Sequence, residues 1–416
     1  MTDRKLSRRR FLRSSAIGAS ATLAAPAFAQ STLSQGVGTG GTPPVDIPVE
    51  PTGRPQPILD GNTPRPSPPE AQVKWAVLGL GHYAQNYAIP GIEEGIDSRL
   101  TGLISGNPDK LAQVGYDWGV PEDNRYSYAM EGLAENDEID VVYVITPNAI
   151  HPEMVERAAE AGKHIFCEKP MAASVEGGQR MIDACNANGV KFGMAYRAHF
   201  EPHNVKAKEM IDAGDLGRIE FVSSDHHRPL DPGASRDQWR MIREIAGGGS
   251  VPDIGIYALN GLIWFLDETP SRLVAQTYSP EFEDNRFAEV EAICNVLLEF
   301  PSGKRGQISS GYIASKKRID VWGADGVAVL DPATSYQGNL LTLSTSTGTE
   351  TITTDYPTNR QFWGEIDHFS RHIRDDEELR ITPEMGIRDL RIIEAIYASA
   401  ERGAWVDLNE DGSLSS

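Results

Sequence analysis

The segment from residue 73 to residue 105 constrains the fold of this chain more than any other. Val73–Leu78 is a short apolar run that predicts a strand, and the turn Gly79–Ala84 after it has the pattern G-x-G-x-x-A. Helical spacing follows from Tyr87 to Glu94, and a second strand is predicted over Leu100–Ser105. A strand, a glycine turn, a helix and another strand together indicate the βαβ unit of a Rossmann fold.

The glycine turn is predicted to hold the pyrophosphate of a dinucleotide. Its first glycine permits the tight turn, its second lets the pyrophosphate approach the backbone, and the alanine lets the helix pack close to the strand. The predicted contacts are Gly79, Leu80, Gly81, His82, Tyr83 and Ala84.

The end of the second strand favours NADP over NAD. NAD-binding proteins usually place an Asp or Glu there to accept from the ribose hydroxyls. This chain instead has Ser105 and, five residues later, Lys110. A hydroxyl and an ammonium group suit a 2′-phosphate. Asp109 follows Pro108 and is expected in the first turn of the next helix, where a carboxylate complements the helix dipole.

Two more buried strands, Ile139–Ile145 and Ile165–Cys167, extend the predicted parallel sheet. Ligands of such a sheet bind beyond the carboxyl ends of its strands. The residues that follow these ends, and are therefore expected near the nicotinamide ribose and the substrate, are Pro147, Asn148, His151, Glu168 and Lys169. For His151, a helix-capping or surface role is an equal alternative.

After Arg197 the regular alternation of strands and helices ends. Strand-like runs with few helices between them predict a large, mostly antiparallel sheet in an α+β second domain. The runs are 219–226, 273–278, 289–300, 306–313, 319–323 and 340–353. Helical spacing returns over Phe362–Ile373 and Met385–Ala400, and these helices are expected to cover the Rossmann sheet. The predicted fold is therefore an α/β Rossmann domain with a doubly wound parallel sheet, followed by an α+β domain.

Residues 1–29 are predicted to be a twin-arginine signal peptide. Ser7–Arg13 contains the consecutive arginines, a short apolar run follows over Ala16–Ala25, and Ala27–Ala29 offers a cleavage site between small residues. The apolar run is far shorter than the roughly 20 residues that span a bilayer, so no membrane anchor is expected. The twin-arginine machinery exports folded proteins, so the expected location is the periplasm.

Residues 30–70 form a proline-rich segment, with ten prolines between Gly41 and Glu70. Proline at this density prevents helices and central strands. The segment is interpreted as a linker or as an extended arm that lies over another surface, with isolated disorder as the alternative.

The composition argues against several partners. Acidic residues number 59 and basic residues 39, and the formal net charge of −20 repels nucleic-acid phosphates. The three cysteines, Cys167, Cys185 and Cys294, have no paired spacing typical of a zinc site or a redox dithiol. His226 and His227 have no third convergent ligand in the sequence, so no metal site is predicted.

Two motifs resemble a known family. The tripeptide Glu168-Lys169-Pro170 after a strand resembles the family named for glucose-fructose oxidoreductase, inositol dehydrogenase and the rhizopine protein MocA. Gly247–Tyr257 is similar to that family's second motif, in which most members end with histidine, and Tyr257 in that position resembles the glucose-fructose oxidoreductase branch. Further similar features are the signal, the arm, Ser105 with Lys110, Ala195-Tyr196-Arg197, Gln238-Trp239-Arg240 and Asp331–Tyr336. The resemblance extends from Val73 to about Val406.

The resemblance implies an NADP that stays bound while one sugar is oxidised to a lactone and a second sugar is reduced. It also implies a homo-oligomer, dimer or tetramer, formed through the large sheet and the arm. Cofactor contacts are expected from Arg197, Trp239, Arg240 and Tyr336. Sugar contacts are expected from Arg197, His226, Arg228, Trp239, Arg240, Asp253 and Tyr257. Loop structure is an equal alternative for His226 and His227.

The residue chemistry supports the oxidation of a sugar hydroxyl. Loss of a hydride from an alcohol carbon also requires loss of the hydroxyl proton, and a tyrosine accepts that proton only if its phenolate is stabilised. The predicted catalytic residues are Tyr257 as the base, Lys169 as its stabiliser, and Asp253, one helical turn before Tyr257, as a partner of the sugar or of the lysine. The alternative for Tyr257 is a packed aromatic residue with a satisfied hydroxyl.

Five segments are predicted in all: signal 1–29, arm 30–70, Rossmann domain 71–195, substrate and oligomerisation domain 196–360, and C-terminal helices 361–416. Two other functions stay open: an ordinary NADP-dependent sugar dehydrogenase whose cofactor exchanges, and a non-catalytic NADP-containing sugar-binding protein.

Overall fold

The computed structural model describes residues 67–415. The predicted signal peptide and most of the predicted arm lie outside this part of the chain. Among the residues described, no helix combines the length and the apolar character needed to cross a membrane.

The first domain is built on a six-stranded parallel sheet. Its strands are β1 Val73–Leu78, β2 Ser98–Ile104, β3 Arg125–Tyr126, β4 Val141–Val144, β5 His164–Glu168 and β6 Phe192–Ala195. Their order is β3-β2-β1-β4-β5-β6. From β1 the next strands along the chain, β2 and β3, lie on one side of the sheet, whereas β4, β5 and β6 lie on the other. The strand order therefore reverses between β1 and β4, and a ligand of an open α/β sheet binds at such a switch point. The predicted Rossmann sheet is confirmed.

Helices connect these strands. They are a π-helical turn Ala84–Ala88 that continues into α1 Ile89–Glu94, then α2 Pro108–Trp118, α3 His151–Glu160 and α4 Val175–Asn188. The side chain of Asn107 caps α2, and Asp109 lies in its first turn, as predicted. Gly119 ends α2 in the left-handed conformation.

The second domain contains a nine-stranded sheet. Its strands are β7 Ile219–His227, β8 Arg272–Tyr278, β9 Ile293–Glu299, β10 Arg305–Gly311, β11 Lys316–Gly323, β12 Gly326–Leu330, β13 Leu341–Thr345, β14 Gly348–Ile352 and β15 Val406–Asp407. Only β7 and β10 pair in parallel, so the predicted, mostly antiparallel sheet is confirmed. The single run predicted over 340–353 is in fact the hairpin β13–β14, and the prediction missed β12.

The α-helices of the second half pack against this sheet, between the domains or, in the case of α9, on the Rossmann domain. They are α5 Pro202–Ala213, α6 Ser235–Gln238, α7 Arg243–Ala246, α8 Ile256–Leu266, α9 Arg360–Asp375 and α10 Pro383–Arg402. Helix α8 is apolar on nearly all sides because it packs against β7 and β10 on the sheet and against α10.

The two C-terminal helices differ in what they cover. Helix α9 packs on the Rossmann domain, where Trp75 donates to the Ser370 hydroxyl and Asp367 accepts from the backbone of Asp97. Helix α10 packs mainly against β8 and α4 and so joins the two domains. On its other side α10 also packs against β6 of the Rossmann sheet, so α9 covers the Rossmann domain as expected and α10 covers part of it while it also packs on the second sheet. The last strand, β15, adds an edge to the second sheet.

Candidate active site

A cavity of about 350 Å³ lies between the carboxyl ends of β1, β4 and β5 and the inner face of the second sheet. The Rossmann side contributes Gly81, His82, Tyr83, Ile145, Thr146, Pro147, Asn148, Glu168 and Lys169. The other side contributes Arg197, His226, Arg228, Arg236, Asp237, Trp239, Arg240, Asp253, Ile254, Tyr257, Lys317 and Tyr336. Most of the predicted site residues therefore share one cavity at the switch point of the sheet.

The glycine turn has the geometry expected of a phosphate cradle. Gly79 has φ of +96°, which a residue with a Cβ rarely adopts. A Cβ built there would lie 2.4 Å from the carbonyl oxygen of Ile145, so only glycine fits. Ala84 is fully buried, as the close approach of helix and strand requires. The turn fits the pyrophosphate of a dinucleotide.

The predicted 2′-phosphate residues lie away from the 350 Å³ cavity. Ser105 follows the end of β2, and its hydroxyl accepts from the backbone of Asn107 at 3.2 Å. Lys110 lies in α2, and its side chain is largely buried. The only nearby carboxylate in the loop after β2, that of Asp109, is exposed on the first turn of α2. Their contact with a 2′-phosphate stays a prediction.

His151 does not line this cavity, and its predicted cofactor contact stays a prediction that its surroundings do not favour. Its side chain is completely buried, with Nε2 2.7 Å from the Thr146 carbonyl oxygen and Nδ1 3.0 Å from that of Met171. Burial holds the pKa of His151 below its usual value. The ring therefore braces the loop after β4 from behind, whereas the neighbouring Asn148 reaches the cavity and donates to the Ala246 carbonyl at 2.8 Å.

Tyr257 lies at the centre of a group of residues called here the tyrosine cluster: Lys169, Arg197, His226 and Tyr257. Arg197 Nε donates to the Tyr257 hydroxyl at 3.1 Å. The Lys169 ammonium lies over the ring, 4.5 Å from its centroid, and His226 stacks on it at 4.8 Å. The role of Lys169 as stabiliser of the phenolate stays a prediction; the residue in contact with the phenolic oxygen is Arg197.

The electrostatics of Tyr257 explain why it needs a cation. Burial raises the pKa of Tyr257 to about 12, and the nearby Arg197 guanidinium opposes this rise. Lys169 donates to the backbone carbonyl of Asp253 at 2.7 Å, which fixes its ammonium against the ring. Burial lowers the pKa of His226 well below its usual value, and the positive charges of Lys317 and Arg197 lower it further, so His226 is neutral.

Asp253 belongs to a second group, the aspartate cluster: Arg228, Asp237, Arg240 and Asp253. The Asp253 carboxylate pairs with Arg240 at 3.0 Å and with Arg228 at 3.4 Å. Asp237 pairs with the same two arginines at 3.5 and 3.0 Å. Although burial opposes ionisation, these cations hold the pKa of Asp253 well below its usual range. The charged partners of the Asp253 carboxylate are therefore arginines, the Tyr312 hydroxyl also donates to it at 3.0 Å, and Lys169 donates to its backbone carbonyl.

The backbone around Asp253 is held by Glu291. Its carboxylate accepts from the backbone N–H groups of Gly249 and Val251, both at 2.9 Å, and from the hydroxyl of Tyr397 in α10 at 3.0 Å. The π-helical turn Val251–Gly255 then leads into α8. This support brings both Asp253 and Tyr257 to the cavity.

Of the remaining predicted contacts, Trp239 and Tyr336 line the cavity and His227 does not. Trp239 lines the cavity, but the Arg240 guanidinium lies 4.4 Å from its ring and covers one face. Tyr336 packs 4.4 Å from the Arg197 guanidinium. His227 points to the opposite face of β7 from His226, where it contacts the Ser309 hydroxyl. No group of three or more His, Cys, Asp or Glu that could hold a metal ion occurs within residues 67–415.

The sequence analysis missed the cavity residues Lys317, Arg236 and Asp237. Lys317 shares the inward face of β11 with Ile319 and Val321, and it pairs with His226 across the sheet. The alternation of Lys317 with the buried Ile319 and Val321 would have placed the lysine on the inward face of the strand. It was missed because the strand was predicted to begin only at Ile319.

A dinucleotide-binding sheet with a cation-supported tyrosine at its switch point defines a class of nicotinamide-dependent oxidoreductases. Residues 73–196 match the family model described as "Oxidoreductase family, NAD-binding Rossmann fold", and residues 208–408 match the C-terminal alpha/beta domain of the same family. The chain therefore belongs to the Gfo/Idh/MocA oxidoreductase family. The predicted family and enzyme class are confirmed.

Individual relatives are sugar enzymes. The chain is 32% identical to D-xylose 1-dehydrogenase [NADP(+)] of Haloarcula marismortui, over 81% of this chain and 93% of that protein. It is 29% identical to D-xylose 1-dehydrogenase (NADP(+)) 2 of Haloferax volcanii, over 80% and 99%. A solved aldose-aldose oxidoreductase from Caulobacter crescentus, complexed with glycerol, is 41% identical with a TM-score of 0.78, over 81% of this chain and 100% of that chain.

Proposed function

We propose that this protein is an NADP-dependent sugar oxidoreductase that oxidises an aldose at its anomeric carbon and returns the hydride to a second sugar. The observation that carries the proposal is the contact of Arg197 Nε with the Tyr257 hydroxyl, beside Lys169, at the switch point of the sheet. The 41% identity to an aldose-aldose oxidoreductase supports the pairing of two sugars, and the NADP-dependent relatives support the cofactor.

In the proposed reaction, NADP supplies the hydride acceptor and donor. Tyr257 as phenolate takes the proton of the anomeric hydroxyl as the hydride leaves the same carbon, which gives a lactone. Arg197 stabilises the phenolate through its Nε–H, and Lys169 adds positive charge over the ring. In the second half-reaction Tyr257 returns its proton to the carbonyl oxygen of the acceptor sugar, whose carbon takes the hydride, which gives an alcohol.

The aspartate cluster has a separate role in this proposal. Asp237 and Asp253 fix the guanidinium groups of Arg228 and Arg240 and leave their outer N–H groups to donate to sugar hydroxyls. Trp239 offers an apolar surface beside them. These contacts orient the sugar, whereas the tyrosine cluster handles its proton.

We further propose export to the periplasm through the twin-arginine machinery with NADP already bound, on the grounds of the arginines in Ser7–Arg13.

We also propose a homo-oligomer formed through the outer face of the nine-stranded sheet, together with the proline-rich arm. Three apolar side chains are exposed there, Tyr278 at 60%, Leu297 at 50% and Trp322 at 49%. The partner is a second copy of this chain. Light scattering on Trp322→Glu should show a smaller species, whereas Tyr116→Glu, on α2, should not change the mass.

Mixing the purified protein with D-glucose or D-xylose tests the proposal. Bound NADP should be reduced within one turnover, as seen in the near-ultraviolet absorbance of the nicotinamide, and a second sugar should reverse the change without added nucleotide. If only free NADP restores turnover, the protein is an ordinary dehydrogenase. If no aldose reduces the bound cofactor, the sugar oxidation is wrong.

A further inference from the structure

The charge of the cavity is opposite to the charge of the protein. The whole chain carries a formal net charge of −20, yet the cavity wall has six basic and only three acidic side chains. Burial raises the pKa of Glu168, one of those three acids, and the Tyr143 hydroxyl donates to it at 2.7 Å. The positive charge of the cavity wall therefore does not follow from the overall composition of the chain, which is acidic.

The excess charge belongs to four side chains: Lys169, Arg197, Arg236 and Lys317. Of these, Lys169 is held against Tyr257 by the Asp253 carbonyl, and Arg236 is exposed to solvent. The aspartate cluster neutralises Arg228 and Arg240. Within residues 67–415, by contrast, neither Arg197 nor Lys317 has a carboxylate at ion-pair distance. The guanidinium of Arg197, which is only 3% exposed, donates to the Tyr257 hydroxyl, to the side-chain oxygen of Gln361 and to the Thr334 carbonyl, all of them neutral.

Lys317 has even fewer partners than Arg197. Its ammonium lies 5.7 Å from the centroid of the Tyr336 ring, the same ring that packs 4.4 Å from the Arg197 guanidinium. Burial and the charges of Arg197 and Arg228 lower the pKa of Lys317 to about 8. Across the sheet Lys317 pairs with His226, which stacks on Tyr257. Lys317 therefore lines the cavity beside His226, which separates it from the proposed base Tyr257.

We infer that the site accepts aldoses that carry a carboxylate, namely hexuronic acids, and that Lys317 binds that carboxylate while the Arg197 guanidinium adds positive charge beside it. The inference rests on the proposed function and names its substrate class. A carboxylate would give both cations the anionic partner that the protein does not supply. The chemistry is unchanged: the anomeric carbon loses a hydride to NADP, its hydroxyl loses a proton to Tyr257, and the product is the lactone of an aldaric acid.

The test compares D-glucuronate with D-glucose, which differ only at C6. The readout is kcat/KM for reduction of the bound NADP in the wild-type holoenzyme, in Lys317→Met and in Lys316→Met. Lys316 is a matched control because it lies on the opposite face of β11, where it pairs with Asp225 at 2.8 Å. The wild type should oxidise both sugars. Lys317→Met should lower the glucuronate-to-glucose ratio by about 10- to 100-fold, the worth of one charge-assisted hydrogen bond. Lys316→Met should leave the ratio within about twofold.

Three outcomes overturn the inference. The first is a wild type that oxidises glucose but neither oxidises glucuronate nor is inhibited by it. The second is an equal loss for both sugars in Lys317→Met, which makes Lys317 a ligand of a neutral hydroxyl. The third is loss of bound NADP from Lys317→Met, which assigns the lysine to the cofactor phosphates. If neither sugar reduces NADP, the proposed function fails, and calorimetric binding of glucuronate to wild type and Lys317→Met then decides the charge inference alone.

Discussion

The tyrosine cluster and the aspartate cluster line the same cavity and use their cations differently. In the aspartate cluster, two buried carboxylates share two arginines, so charge is balanced within the protein. In the tyrosine cluster, the hydrogen-bond partners of Lys169 and Arg197 among the described residues are all neutral. A balanced group holds its geometry whether or not a ligand is bound, whereas an unbalanced group keeps its charge available for a phenolate or an anion.

Removal of the phenolic oxygen from the tyrosine cluster should have the largest effect on activity. Tyr257→Phe should lower the rate of sugar oxidation by about 10²-fold or more while NADP stays bound, because the ring is kept and the proton acceptor is lost. Stopped-flow absorbance of the bound cofactor measures this rate. Tyr336→Phe is the matched control, since it removes a neighbouring hydroxyl and should cost less than tenfold. Near-normal oxidation by Tyr257→Phe would assign the base elsewhere, with Lys169 the next candidate.

The aspartate cluster should respond mainly in stability. Asp253→Asn leaves Arg228 and Arg240 with one carboxylate between them, and should lower the free energy of unfolding at pH 7 by about 2–3 kcal/mol. Asp411→Asn, which removes an exposed ion pair with Arg391, should cost less than about 0.5 kcal/mol. Urea denaturation of the two variants and the wild type gives both values.

The stability difference between the wild type and Asp253→Asn should depend on pH. The pKa of Asp253 is below its usual value in the folded protein, so its ionisation stabilises the fold above the unfolded pKa near 3.8 and loses this effect as the pH falls below it. The stability difference between wild type and Asp253→Asn should therefore shrink between pH 5 and pH 3. A difference that stays constant over this range would mean that the carboxylate charge is not what stabilises the cluster.

The two cations of the tyrosine cluster, Arg197 and Lys169, should affect the pH dependence of sugar oxidation to different extents. Because the pKa of Tyr257 is about 12 and Arg197 opposes its rise, oxidation should speed up with rising pH, and Arg197→Met should shift this profile to higher pH. The rate near pH 8 should fall by roughly tenfold, with part restored by Arg197→Lys. Lys169→Met should shift the profile less, since Lys169 lies over the ring. A larger shift for Lys169→Met would return the role of phenolate stabiliser to that residue.

Local sequence patterns predicted the first domain better than the second. The limits of β1 follow from an apolar run that ends at a glycine with a required positive φ, so Val73–Leu78 was predicted to the residue. The hairpin β13–β14 was merged into one run because Thr345–Thr347 continues the Ser/Thr pattern through the turn. Nothing in that run resembles the usual turn pairs.

In the candidate site too, residues within local motifs were predicted, and a residue placed by the pairing of distant strands was missed. Lys169, Asp253 and Tyr257 were found because each lies in a recognisable motif. Lys317 was missed because its proximity to His226, 91 positions away, depends on strand register, which no local pattern contains. His151 was placed in the site by topology alone. Only the three-dimensional contacts show that backbone carbonyls occupy both of its ring nitrogens.

The hydrogen bond that the Tyr397 hydroxyl donates to Glu291 links the proposed catalytic segment to helix α10, 106 residues after Glu291 in the chain. Glu291 holds the backbone of Gly249 and Val251, and its third hydrogen bond comes from α10. During translation, a chain that has not yet released α10 from the ribosome lacks this bond, although all of the proposed acid–base residues are already present. The site would then be completed only when α10 has folded, so that a product ending before Tyr397 would carry Lys169, Asp253 and Tyr257 without the support that positions them.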